Sequence, residues 1–190
     1  MTTRTNRLIL ACMVVLALCV QVAAAAQARP IAGPQTQPGD ALDPRTYAPE
    51  SRPFLTVNAN GVQKYACQAN GKWLFTDPVA DFYAEKVIGT HYLNFATGRP
   101  VWELNDGSTV EAARKASVPA GTGNIAALLL EAKVTTAGSD GDRLAKSTWV
   151  QRLNTSGGVA PDSACTPGDT LAVPYSTDYV FWAAKGASDD

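Results

Sequence analysis

The chain has 190 residues, with 16 Lys and Arg against 17 Asp and Glu. No block of like charge runs along it, so the basic stripe of a nucleic-acid binder is excluded. The length suits one domain with a sizeable core.

In chain order, residues 1–28 read first as a secretory signal peptide. Arg4 and Arg7 supply a positive start, Leu8 to Val20 an apolar stretch, and Ala24 to Ala28 small residues with A-x-A cleavage sites. The apolar stretch is shorter than the ~20 residues a membrane span needs. A secreted location is therefore expected, periplasmic or cell-surface in a Gram-negative host, with no membrane attachment after cleavage. Removal of residues 1–28 leaves 14 basic against 17 acidic residues, a net charge of about −3.

Residues 29–53 are punctuated by Pro30, Pro34, Pro38, Pro44, Pro49 and Pro53. So little apolar surface does not offset ordering entropy, and the segment reads as poorly ordered, a linker or a strap draped on the domain. Residues 54–185 change texture, and 186–190 form a short tail. Asn60-Gly61, Asn70-Gly71 and Asp106-Gly107 signal hairpin turns. Strands are predicted over 62–67, 72–76, 100–104, 108–118, 147–154 and 179–183. In 147–154, Trp149, Gln151 and Leu153 share one face, while Thr148, Val150 and Arg152 share the other. In 179–183 both faces carry bulk, as in a strand covered on both sides. Residues 125–134 fit a buried strand or a short helix, with strand preferred, and 78–86 are equally ambiguous. The pattern predicts a mainly β fold: an antiparallel sandwich or barrel-like single domain closed by one disulfide.

That disulfide follows from the cysteine count. Cys12 and Cys19 leave with the signal segment, and Cys67 and Cys165 remain. In an oxidising compartment one pairing is open to them, worth about 4–5 kcal/mol in the chain-entropy model. Two free thiols are the alternative.

Several stretches together resemble a secreted bacterial and fungal family of unknown function, DUF3455. They are Tyr65-Ala66-Cys67-Gln68 with Gly71-Lys72-Trp73; His91-Tyr92 with Trp102-Glu103 and Asp106-Gly107-Ser108; Val150-Gln151-Arg152 through Thr155 to Pro161 and Cys165; and Val173 to Tyr179. Residues 93–99 depart from the family, which carries a shorter Gly-Pro link there. The resemblance implies no established activity, although some fungal members bear a malate dehydrogenase label. Gly121-Thr122-Gly123-Asn124-Ile125-Ala126 fits G-x-G-x-x-A, but a dinucleotide site needs it between a strand and a helix of a βαβ unit. No such unit is predicted, so NAD and other cofactors are not expected.

Catalytic candidates are few. The one histidine is His91. A triad would combine it with Asp178 or Asp106 as orienting acid and Ser108 or Ser176 as nucleophile, and a hydrolytic pocket would combine it with Asp178 and Glu103. No G-x-S-x-G elbow supports that arrangement. One histidine and a paired cysteine set cannot build a zinc tetrahedron, so no metal is expected. Trp73, Trp102, Trp149 and Trp182 fall in predicted strands, most of them as core. Trp102, Tyr92, Arg152 and Tyr175 are the ligand-binding candidates. Asn154-Thr155-Ser156 is a glycosylation sequon in a eukaryotic host. The expectation is a β-rich domain that binds an extracellular or cell-surface ligand, carbohydrate among the options; a hydrolase built on His91 and nearby carboxylates is the alternative.

Overall fold

The computed structural model describes residues 40–84 and 86–187. The expected signal segment, the start of the Pro-rich segment and the end of the tail lie outside the described residues. Eight antiparallel strands form a closed barrel in sequence order: β1 Arg52–Cys67, β2 Trp73–Tyr83, β3 Val87–Asn94, β4 Arg99–Leu104, β5 Thr109–Val118, β6 Ala127–Thr136, β7 Trp149–Gly157 and β8 Thr170–Ala183. β8 closes the barrel on β1, from Arg52↔Ala183 to Ala66↔Thr170. Of the two architectures expected, the barrel is the one formed.

Period-two alternation places the side chains. On β8, Tyr175, Tyr179 and Phe181 enter the interior core, while Val180 and Trp182 join an outer apolar cluster. On β7, Val150 is in the interior core, and Trp149 and Leu153 belong to the outer cluster. Residues 127–136 form strand β6 because their apolar run serves both faces, with Leu130 inside and Leu129 outside.

The Pro-rich segment corrects the expectation of poor order from Asp40 onward. Two short 3-10 turns, Asp40–Leu42 and Pro44–Thr46, lie over the outer cluster. Leu42 is buried there, the Tyr47 ring sits 5.5 Å from that of Trp149, and Gln151 Nε2 donates to the Leu42 carbonyl at 2.5 Å. Trp182 Nε1 in turn donates to Gln151 Oε1 at 2.7 Å. A few apolar side chains suffice because the barrel wall offers them a ready apolar face.

Asn60-Gly61 is the second correction. It is no turn: β1 runs straight through it and pairs with β2 at Gly61↔Ala80. A Cβ at Gly61 would lie 2.0 Å from the Val79 carbonyl oxygen, so glycine here serves close backbone approach. Asn70-Gly71 and Asp106-Gly107 do turn, with positive φ at both glycines. Cys67 and Cys165 are bridged, with Cα atoms 5.9 Å apart across 98 residues of sequence, and clip the long β7–β8 loop to the end of β1.

Candidate functional site

One end of the barrel is only partly filled. A cavity of about 560 Å³ lies there, among the turns that join β1 to β2, β3 to β4 and β5 to β6, and the loop between β7 and β8. Its opening has a local cause. The β2–β3 ladder ends at Ala80↔His91, although β2 starts at Trp73 and β3 continues to Asn94. Just past that point stands Pro78, which has no N–H to give a ladder. The Asp77 carboxylate takes the Leu93 N–H instead, at 3.2 Å. The splayed strands expose Phe75, Pro78, His91 and Leu93 to the cavity, and Ala112, Ile125, Leu128 and Leu130 form the facing wall.

The cavity has a polar base. His91 is buried, stacks on Trp102 at 4.6 Å and lies 5.3 Å from the Tyr179 ring. Its Nδ1 sits 2.7 Å from the Val101 carbonyl. Burial pushes its pKa down to about 3, so the imidazole is neutral. A neutral ring bonded in this way carries its proton on Nδ1, leaving Nε2 as an acceptor. Arg152 reaches in from β7, and its Nε and Nη2 both donate to the Ala126 carbonyl, at 3.0 and 2.9 Å. Gln63 completes the lining from β1.

Behind these residues lie Tyr175 and Tyr179. Burial raises both phenol pKa values, against the pull of the Arg152 charge. Gln63 Nε2, Trp102 Nε1, Tyr175 Oη and Tyr179 Oη are all buried without a hydrogen-bond partner. They are neighbours of one another: Gln63 and Tyr179 act on the Tyr175 phenol, and Arg152, Tyr175 and Trp102 act on the Tyr179 phenol. Unpaired buried polar atoms are costly, so several at one place call for a partner such as water or a bound molecule.

The barrel wall divides the residues singled out from sequence. His91, Trp102, Arg152 and Tyr175 are gathered inside. Tyr92, Glu103 and Asp178 are on the outer face. Tyr92 Oη donates to Glu103 Oε2 at 2.9 Å, and burial together with Glu103 pushes the phenol up to about 12. Asp178 accepts from Asn58 at 3.0 Å and from Asn154 at 2.7 Å. Asn154, the sequon residue, is exposed and adopts φ 52°, a left-handed conformation that Asn tolerates. Ser108 lies at the far end of the barrel, where its hydroxyl donates to Asp106 at 2.6 Å. His91 therefore meets neither Glu103, Asp178 nor Ser108. The G-x-G-x-x-A stretch is the loop between antiparallel β5 and β6. No group of three or more potential metal ligands occurs among the described residues. His91 and Trp102 pair directly across β3 and β4, despite the longer link at 93–99.

Sequence reasoning missed Gln63 and Leu93. Gln63 carried a signal, since it continues the inward set Leu55, Val57, Ala59 at period two. Leu93 carried none without knowledge of β3.

The fold and its cavity define a class: a closed eight-stranded antiparallel barrel with an interior cup at one end. Within that class, the chain belongs to the family described as protein of unknown function (DUF3455), whose model matches residues 48–183. The match covers β1 to β8 and stops short of the two 3-10 turns. No curated protein and no solved structure matches the chain.

Proposed function

We propose that this chain is a secreted binding protein that holds a small, partly apolar molecule inside its barrel. The observation that carries the reading is the cavity at one end of the barrel, whose apolar walls surround Gln63, His91 and Arg152, with Gln63 Nε2 buried and unpartnered. Eight strands enclose a space suited either to side-chain filling or to one small ligand. Secretion is supported by the signal-like N-terminus and by the disulfide, which persists in oxidising compartments. A sugar platform on the exterior has less support. Trp102, Trp149 and Trp182 are buried, and Trp73 is half-buried. The hydrolase alternative needs His91 and a carboxylate on one side of the wall, and they stand on opposite sides.

The test is a titration of the purified protein with the neutral fluorophore N-phenyl-1-naphthylamine. Saturable enhancement with one site is expected. Leu93→Trp, which fills the cup from β3, should weaken it about tenfold or more, equal to about 1.4 kcal/mol. Circular dichroism melts check that the variant folds. No saturable signal, or an unchanged titration in a folded Leu93→Trp protein, would sink the reading.

A further inference from the structure

We infer that the molecule held in the cup is an organic acid, an apolar body whose carboxylate faces Arg152. The inference rests on the binding reading above and names the chemistry of its ligand.

Charge is the first ground. Three arginines line the cavity and, among the described residues, no Asp or Glu does. Arg99 is neutralised by Glu111 at 2.9 Å. Neither Arg114, at the rim, nor Arg152, inside, has a carboxylate within ion-pair distance among the described residues. A cation drawn into an apolar site without a counter-charge favours an anion that supplies one.

Hydrogen-bond arithmetic is the second ground. Arg152 spends two N–H groups on the single Ala126 carbonyl, and its fork has five. Gln63 Nε2, on the cavity lining, is a donor without a well-formed hydrogen bond, and so are Trp102 Nε1 and the Tyr175 and Tyr179 hydroxyls packed behind it, which have one another as neighbours. Against these N–H and O–H groups stand fewer acceptor atoms: Nε2 of His91, the amide oxygen of Gln63 and the two phenol oxygens. A ligand that balances this base must bring acceptors and few donors. A carboxylate is acceptor-only and matches the planar guanidinium fork. A neutral sugar brings donors and acceptors together and leaves the surplus in place.

The apolar body follows from the walls and the mouth. Leu93, Ile125 and Leu128 line the cavity above the polar base. Phe75, Phe95, Val118 and Val159 are exposed on strand ends and loops at the same end of the barrel, Phe95 by 76%. Of these, Phe75 also lines the cavity.

The experiment displaces bound N-phenyl-1-naphthylamine with decanoate and, separately, with 1-decanol at pH 7.5. Decanoate should compete about tenfold or more better than the alcohol, the scale of one charge-assisted bond. Arg152→Gln should remove that preference, read as the ratio of the decanoate and decanol competition constants within the variant. Arg114→Gln, on the exposed rim, provides a second variant that does not touch the Ala126 contact, and it should reduce the preference in part. Equal competition by acid and alcohol overturns the inference while the binding reading stands. So does a preference that survives in both variants. Absence of any binding, of the fluorophore or of either competitor, removes the binding reading and the inference with it.

Discussion

His91 is the chain's one histidine, which makes its titration separable from all others. Its pKa is depressed to about 3 in the folded protein, against about 6.5 for a free side chain. The unfolded chain therefore takes up a proton that the folded chain refuses. The stability held at His91 is complete above about pH 6.5 and falls as pH drops toward 3, by about 1.4 kcal/mol per pH unit. Asp106 and Glu111, whose pKa values are lowered, lose their contribution only in the acid range below about 4.5. Urea unfolding at pH 7.0 and 5.5 isolates the histidine. Lower stability at 5.5 is expected, with a flatter response in His91→Asn, whose amide retains a donor near Val101. Equal stability at both values would refute the burial of a neutral ring. Gly61 gives a second prediction. Its replacement by Ala drives a Cβ into the β2 backbone and should destabilise by about 3 kcal/mol in urea melts. The Asn-Gly pair gave the wrong signal in the sequence because the same dipeptide serves a tight turn and a close strand crossing. Only the partner strand decides between them.

At the scale of elements, strand alternation was legible and strand covering was not. The opposed faces of β7 follow from the sequence, with Arg152 inside and Trp149, Gln151 and Leu153 outside. What covers the outer face does not follow. Residues 40–47 look too polar to order, yet Leu42 and Tyr47 complete a cluster that β6, β7 and β8 already supply. Bulk on both faces of 179–183 was the available hint. Leu42→Ala should cost about 2–3 kcal/mol, measured by chemical unfolding. A change within experimental error would mean that the strap does not hold this face. The disulfide acts differently, through the unfolded chain. The Cys67→Ser, Cys165→Ser double variant should lose about 4–5 kcal/mol in the chain-entropy model. Its barrel should otherwise persist, since the β1–β8 ladder does not depend on the bridge. Loss of the near-ultraviolet dichroism of the native fold at 25 °C would contradict that.

At the scale of the whole molecule, closure of the sheet creates the site. No local motif announces it. His91, Trp102, Arg152 and Tyr175 come from four strands and meet because the barrel closes around them. Tyr92, Glu103 and Asp178 are close in sequence to those residues and fall outside because alternation turns them away. Sequence spacing therefore gathered candidates without sorting them, and the pleat of each strand sorted them. The outward positions Asn58, Asn60, Lys64 and Asp81 are polar and exposed, unlike the apolar outward band of a lipid-facing barrel. The central claim is that the cup takes the ligand. The most direct measurement is a chemical-shift map of the isotope-labelled protein titrated with N-phenyl-1-naphthylamine. Shifts concentrated at Leu93, Ala112, Ile125, Leu128 and the side chain of Arg152 are expected, with Tyr92, Glu103 and Asp178 unmoved. Shifts confined to the outer face, or none at saturating probe, would contradict it.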